Sequence, residues 1–388
     1  MNLLNKNSNP AILLAGILSI IISIGIARFA FTSLLPFMLE EYLSLTFAGL
    51  LASINFIGYL SGAIFVIFIK DMHKKVTLLR VAILFSILST LVLSFSTNQT
   101  VWIVARIVAG FSSALLFLIA SSLVMLKLNF KDKTKAMGIH FSGIGFAIVV
   151  SELISQYVLQ NATWKEAWFY LSLFSFLSSF YIFHILSFNK QSKKETPKQV
   201  LNKSIFSSYV ILLILAYFTE GVGFVVQGTF LPDIINSLKG LDGYGNIAWL
   251  IVGVAGIPSA IIWMRLAHIY GSINMIMIAM FLQIVGLLIP TFTNNIYCVL
   301  LSGALYGSTF IGLVALFMNR AGELAKNNPV VLMGSMTAAY GIGQVLAPLY
   351  SIALIEYFRD YNTTLYLTAF IVFVGILFLT YAKHIEKK

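Results

Sequence analysis

The sequence predicts an all-α membrane protein whose twelve transmembrane helices form two related bundles of six. The composition supports this, because 59% of the 388 residues are hydrophobic and 10% are charged, whereas soluble domains average about 25% charged residues. Twelve apolar runs are long enough to cross about 30 Å of hydrocarbon at about 1.5 Å per residue. The second half of the chain also repeats features of the first at a fixed spacing of 196 residues.

Each apolar run is predicted to be a helix, because lipid offers no hydrogen bonds and the backbone must satisfy its own polar groups. The first six helices are expected at Ala11–Pro36, Leu43–Ile69, Val76–Phe95, Trp102–Leu126, Met137–Val158 and Ala167–Phe188. The second six are expected at Ile205–Leu231, Gly245–Met264, Ile273–Phe292, Ile296–Met318, Val330–Tyr357 and Thr364–Ala382. Pro36, Pro232 and Pro348 are expected to bend the helices beside them.

One polar segment separates the two sets of helices. Residues 189–204 are rich in lysine and contain Pro197. The predicted organisation is therefore an N-terminal six-helix bundle over 1–188, a cytoplasmic linker over 189–204 and a C-terminal six-helix bundle over 205–388.

The two halves share short motifs at the same spacing. Gly25 precedes a segment that ends in Leu35-Pro36, and Gly221 precedes one that ends in Leu231-Pro232. Met137-Gly138 and Met333-Gly334 are also 196 residues apart. Parallel repeats of this kind are typical of transporters built from two bundles, with the substrate site near the middle of the membrane.

The net charge of +11 is explained by the distribution of the basic residues. With the N-terminus placed in the cytoplasm, twenty of the 25 lysines and arginines fall on that side, and Lys165, Lys239 and Arg359 fall on the other. The remaining two lie within helices. This asymmetry predicts that both termini are cytoplasmic. It also makes membrane lipid the expected partner of the basic loops, rather than nucleic acid.

Several motifs carry a family resemblance. The stretch Gly25–Met38 resembles the first-helix signature of the YbfB/YjiJ-type branch of the major facilitator superfamily. Glu220–Phe224 with Gly228–Pro232, and Gly341–Pro348, are similar to the same branch. The resemblance implies a solute transporter but no particular substrate.

Two further comparisons with the superfamily point in different directions. Arg106 and Gly110 are similar to its fourth-helix motif. The loop Lys70–Lys75 keeps Asp71 and the basic residues of the usual loop motif but lacks its glycines, and helix 5 lacks the Gly-Pro pair of antiporters. The loop is therefore not expected to latch the inward-closed state in the usual way, and the missing Gly-Pro pair weakens a drug-efflux interpretation.

Four ionisable residues lie within predicted helices, namely Arg28, Arg106, Glu152 and Glu220. Such a group costs about 2.5 to 3.5 kcal/mol at the centre of a membrane helix, which makes each a functional candidate. We expect Glu220 or Glu152 to take up and release a proton, and Arg28 or Arg106 to bind an anionic group of the substrate. The alternative is a permanent ion pair that holds helices together, most plausibly between Arg106 and Glu152.

Uncharged side chains give weaker signals. Asn55, Gln227 and Gln344 are candidates for hydrogen bonds to a substrate, although bonds between helices are the commoner use of such residues. Phe224 and Tyr340 are candidates for an apolar wall of the site, with simple packing as the alternative.

The sequence predicts no cofactor, no metal site and no catalytic residue. It has no phosphate-binding loop of the Gly-x-x-x-x-Gly-Lys-Ser/Thr type, and its five histidines lack metal-ligand spacing. His140 is a weak candidate for proton relay. The single cysteine, Cys298, is expected to be an inert packing residue.

These features together predict a monomeric secondary active transporter that moves a small organic solute across the cytoplasmic membrane by alternating access, driven by protons. The direction stays open between import of an organic anion and export of an amphipathic compound. Two alternatives are a membrane enzyme acting on lipid-linked substrates, for which no His and Asp cluster is apparent, and a receptor or scaffold that does not transport.

Overall fold

The computed structural model describes residues 5–69, 71–128, 133–187, 207–324 and 329–386, and within these ranges it contains helices and no β-strand. Twelve helices are long and apolar enough to cross a membrane, and we number them α1 to α12 in chain order. The first six are Asn9–Glu41, Leu45–Val66, His73–Phe95, Gln99–Lys127, Met137–Leu159 and Trp164–Ile185. The second six are Ser208–Asn236, Gly245–Tyr270, Ser272–Phe292, Ile296–Leu324, Leu332–Phe358 and Asn362–Glu386.

The predicted helices are confirmed in number and order, but α8 and α10 extend six residues beyond their predicted C-terminal ends, and α1 and α7 extend five. We placed their ends at Pro36 and Leu231, whereas both helices continue through Pro36 and Pro232. Membrane helices tolerate an internal proline because neighbouring groups satisfy the backbone that it disrupts. The predicted linker over 189–204 lies outside the described residues.

Polar caps fix where several helices begin. The side chains of Asp71, Asn98 and Ser207 accept hydrogen bonds from the first backbone N–H groups of α3, α4 and α7. Thr163 and Glu166 form a capping box at the start of α6. These residues satisfy donors that have no partner inside the helix.

By internal contacts the chain divides into two compact units. Unit 1 is Met1–Leu43 with Ile54–Pro197, and unit 2 is Ser44–Ser53 with Lys198–Lys388. The start of α2 therefore groups with the second set of helices. There Thr46 donates a hydrogen bond to Glu356, and Ser53 donates one to the carbonyl of Val345 at 3.0 Å.

Unit 1 is held together by an apolar core between α1, α3, α4 and α6. Ile12, Ile83, Ile119, Leu123 and Ile182 are all buried in it. Where α1 meets α5 the packing is tighter, because a Cβ at Gly25 would overlap the carbonyl oxygen of Ala147. Small residues let membrane helices approach this closely.

In unit 2, glycines also allow pairs of helices to approach closely. A Cβ at Gly221 of α7 would overlap the carbonyl oxygen of Tyr340 in α11, and one at Gly307 of α10 would overlap that of Val252 in α8. Cys298, expected to be buried, is exposed near the start of α10.

Candidate functional site

The middle of α1 departs from regular α-helical geometry. Ile21–Phe29 forms a π-helix between two α-helical segments, and such segments are frequent at functional sites. The carbonyl of Ala27 accepts a hydrogen bond from Arg106 of α4 at 3.2 Å and one from Asn55 of α2 at 3.4 Å. Three helices of unit 1 thus meet at one turn of α1.

Arg28 lies on this turn and is 7% exposed. Its guanidinium carbon is 4.4 Å from the ring centroid of Tyr59 and 4.8 Å from that of Phe56, both on α2. The faces of aromatic rings attract a cation by about 0.5 to 2 kcal/mol, more where water is excluded. The rings therefore compensate part of the cost of burying this charge.

Arg106 and Glu152 occupy the same region of unit 1. They are 3% and 1% exposed. The guanidinium carbon of Arg106 is 4.4 Å from the ring centroid of Phe31 in α1, and Ser33 of α1 donates a hydrogen bond to Glu152 of α5. Arg28 is also within electrostatic range of Arg106.

We call Arg28, Arg106 and Glu152 the charged cluster. Three of the four residues predicted from their charge thus lie in unit 1, around residues 27–33 of α1. Their formal charges sum to +1 when the carboxylate is ionised.

Asn55 supports the cluster from α2. Its side-chain amide donates to the carbonyl of Ala27 and, at 3.0 Å, to that of Arg106. Both contacts are hydrogen bonds between helices, which is the alternative that we set beside its predicted role in substrate binding.

Glu220 lies in unit 2 and has different surroundings. It is fully buried, and Gln283 of α9 donates a hydrogen bond to its Oε1 atom at 3.4 Å. Within the described part of the chain, Glu220 Oε2 and Gln283 Oε1 have no hydrogen-bond partner. A carboxyl with a proton on one oxygen would supply the donor that these two acceptors lack.

Gln227 lies two turns further along the same face of α7. Its amide donates to Ser302 at 3.3 Å and to the carbonyl of Gly286 at 3.4 Å. Gln344 of α11 is buried as well. Polar side chains therefore recur in the interior of unit 2, where α7, α9 and α10 pack together.

The aromatic candidates belong to a larger aromatic cluster in unit 2. Phe224 is 6.0 Å from Tyr340, 5.3 Å from Phe310 and 6.3 Å from Tyr306, measured between ring centroids. Tyr340 also stacks on Tyr217 at 4.5 Å. The hydroxyl of Tyr306 donates to the carbonyl of Phe224 at 2.8 Å, which fixes that ring in place.

The residues of these sites that sequence reasoning missed include Ser33, Tyr59, Gln283 and Tyr306. Gln283 carried a usable signal, because a glutamine within a run of apolar residues is costly unless it is paired. Ser33 and the two tyrosines carried none, since their roles depend on which helix lies opposite.

His140 is fully buried, and its Nε2 atom lies 2.9 Å from the hydroxyl of Ser121. No group of three or more metal-ligating side chains occurs among the residues described.

Comparison with known proteins agrees with this architecture. A family model described as "Uncharacterised MFS-type transporter YbfB" matches residues 20–380. An uncharacterized transporter of Buchnera aphidicola subsp. Schizaphis graminum (strain Sg) is 24% identical over 263 residues, which span 64% of this chain and 62% of that protein. The crystal structure of a mutant of the nucleoside transporter NupG is similar with a TM-score of 0.75, over 96% of this chain and 99% of that one, at 12% identity. At that identity the similarity shows the fold alone.

Proposed function

The chain belongs to the YbfB-type family of major facilitator transporters, and from that premise we propose that it is a proton-coupled transporter importing a small organic anion. It is a multi-pass membrane protein, and a transporter rather than an enzyme. The observation that carries the proposal is the charged cluster buried in unit 1.

The composition of the cluster favours an anionic substrate. Two arginines and one ionised carboxylate give the three side chains a net formal charge of +1, and buried positive charge favours a bound anion. Arginine presents a planar fork of donors that matches a carboxylate or phosphate. A singly charged organic anion would neutralise the cluster, with Arg28 as the proposed contact and Arg106 beside it.

The same charges set the sign of the coupling. When Glu152 is ionised the cluster carries +1, and when it is protonated the cluster carries +2 and attracts an anion more strongly. Proton binding and anion binding therefore favour each other, and linkage makes this reciprocal. Positive linkage within one cluster produces symport, in which a proton gradient drives uptake of the anion.

The remaining features of the proposal follow from the family and from the distribution of charge. We propose alternating access by a monomer in the cytoplasmic membrane, with both termini in the cytoplasm, as the basic residues predict. Asn55 orients Arg106 through the backbone, and Gln344, Gln227, Phe224 and Tyr340 contribute contacts from the second set of helices.

Proteoliposomes with a pH-sensitive dye in the lumen test the coupling. A panel of monocarboxylates, phosphate esters and neutral nucleosides is added outside, and we expect one class of anion to acidify the lumen. In Glu152→Gln, proton movement should fall at least tenfold while counterflow of the labelled anion continues. In Arg28→Gln both activities should be lost.

Two matched controls make this result specific. Asp242→Asn removes a carboxylate from an exposed loop, and Arg265→Gln removes an exposed arginine from α8; both should transport as the unmodified protein does. Proton flux in Glu152→Gln equal to that of the unmodified protein would show that this carboxylate does not couple transport.

Glu220 is the second proposed proton carrier. Its partner Gln283 and the unfilled acceptors beside it support a carboxyl that holds a proton in unit 2. Glu220→Gln mimics the protonated form, so we expect counterflow to persist and net proton-driven uptake to fail. If Glu220→Gln leaves proton-driven uptake intact, Glu152 carries the coupling by itself.

A second candidate function is export of a planar amphipathic compound. The observation that favours it is the aromatic cluster of unit 2, whose rings lie 4.5 to 6.3 Å apart, since aromatic faces stack on flat apolar molecules. Under this alternative, Phe224→Ala should abolish transport of such a compound, whereas Arg28→Gln should leave it unchanged.

A further inference from the structure

A groove with a volume of about 470 Å³ runs along α9 on the surface of unit 2. Its lining residues are Tyr270, Asn274, Met275, Met277, Ile278 and Phe281. Tyr270 is the last residue of α8, and the others lie on the first three turns of α9. The groove thus begins at a membrane boundary and extends along a spanning helix.

The deeper part of the groove is apolar and faces outward. Ile278 is 46% exposed and Phe281 is 58% exposed, although both lie within a membrane span. Met277 is fixed on one side by the hydroxyl of Thr380 in α12, which lies 3.6 Å from its sulfur. In a bilayer such a surface is covered by acyl chains.

The end of the groove nearest the loop is polar and positively charged. The ammonium of Lys383 in α12 donates to Asn274 Oδ1 at 2.6 Å, and Asn274 Nδ2 donates to the carbonyl of Tyr270 at 2.8 Å. The bonded partner of Lys383 is neutral, and among the described residues no carboxylate forms an ion pair with it. An ammonium has three N–H donors, and the contact with Asn274 uses one of them.

The neighbouring charges also favour an anion at this end. Arg265 is exposed near the end of α8. The nearest carboxylate in sequence is Glu386, which Arg320 of α10 already binds. None of the lining residues is acidic.

We propose that this groove binds one molecule of an anionic phospholipid. The phosphate contacts Lys383 beside Asn274 and Tyr270, and one acyl chain lies along Met277, Ile278 and Phe281. From Asn274 to Phe281 α9 rises about 10 Å, so the headgroup lies at the boundary and the chain lies within the hydrocarbon. The headgroup of a zwitterionic lipid carries its own cation, which Lys383 would repel. The site should therefore prefer an anionic lipid.

Native mass spectrometry of the full chain in detergent tests the site. Phosphatidylglycerol or phosphatidylcholine is titrated in, and we expect one phosphatidylglycerol to be retained with a distinctly higher affinity than phosphatidylcholine. Lys383→Gln should lower that affinity about fivefold, as expected for removing one lysine from an anionic lipid site. Lys74→Gln removes an exposed lysine of α3 and should leave the affinity unchanged.

Mapping the bound lipid locates it without relying on a variant that alters folding. Phosphatidylglycerol with a photoactivatable group in its acyl chain should crosslink to the α9 peptide that contains Ile278 and Phe281. Crosslinks confined to other helices would overturn the proposal. Equal losses in Lys383→Gln and Lys74→Gln, or equal retention of the two lipids, would overturn it as well.

Discussion

Gly110 lies where α4 crosses α2, one helical turn from Arg106 of the charged cluster. A Cβ at this position would overlap the carbonyl oxygen of Asn55. Gly110→Ala should therefore separate the two helices and lower stability by about 1 to 3 kcal/mol, the usual cost of overpacking. Because Asn55 also donates to the carbonyl of Arg106, transport should fall too. The melting temperature in detergent and uptake in proteoliposomes measure the two effects.

Gly322 of α10 provides the matched control. It is also helical, but no atom of the described residues lies within 4 Å of a Cβ built on it. Alanine is favoured over glycine in a helix by up to about 1 kcal/mol, so Gly322→Ala should leave the melting temperature unchanged or raise it. Equal losses in both variants would mean that close approach at Gly110 is unimportant.

Single residues were predictable from the sequence where they broke a strong rule. Arg28, Arg106, Glu152 and Glu220 were selected because charge in a membrane helix is expensive. Gln283 breaks a weaker form of the same rule and was missed. Which charges share a site was not predictable, because it depends on how α1, α4 and α5 face one another.

Among the helices, α3 begins with a charged cap whose contribution depends on pH. Asp71 accepts hydrogen bonds from the backbone N–H groups of His73 at 2.7 Å and Lys74 at 3.1 Å. The bonds from Lys74 and His73 hold the pKa of Asp71 below its usual value. Its stabilising effect is therefore present above the unfolded-state pKa of about 4 and is lost as pH falls through the lower folded-state pKa.

Two substitutions of Asp71 distinguish the effect of its capping hydrogen bonds from the effect of its charge. Asparagine caps helices about as well as aspartate but does not titrate, so Asp71→Asn should match the unmodified protein at pH 7, whereas Asp71→Ala should melt at a lower temperature. Below about pH 4 the unmodified protein should lose part of its advantage over Asp71→Ala. Melting curves from pH 7 to pH 3 would refute this if that difference stayed constant.

The helices as elements were predictable because length and hydropathy determine whether a segment spans the membrane. The ends of α1 and α7 were less predictable. Pro36 and Pro232 suggest that each helix ends there, but both helices continue through the proline. The π-helical turn over Ile21–Phe29 was not predictable. It depends on side chains of α2 and α4 that bond to the backbone of α1.

Across the whole molecule the repeat extends to every helix. Each helix of the second set begins 195 to 200 residues after its counterpart in the first. Some stabilising bonds are repeated too. At the end of α1, Glu41 accepts a bond from Trp164 of α6, and at the end of α7, Asp233 accepts one from Tyr361, just before α12. The common architecture is therefore conserved between the halves.

The chemistry of the two halves has diverged. At a spacing of 196 residues, Arg28, Arg106 and Glu152 correspond to Phe224, Ser302 and Pro348. Conversely, Glu220 and Gln283 correspond to Ile24 and Ile87. The charged cluster thus belongs to unit 1 and the pair of Glu220 and Gln283 to unit 2, which is why we assign anion binding to the first.

The distribution of basic residues predicts the orientation of the whole chain, and single cysteines can test this prediction. After Cys298→Ser, Asn294→Cys places a thiol in the exposed loop between α9 and α10, and Lys74→Cys places one near the start of α3. The positive-inside rule puts the first outside the cell and the second in the cytoplasm. A membrane-impermeant maleimide should therefore label Asn294→Cys in intact cells and label Lys74→Cys only after lysis. The reverse pattern would invert the topology, and would move Lys383 and its lipid groove to the outer leaflet.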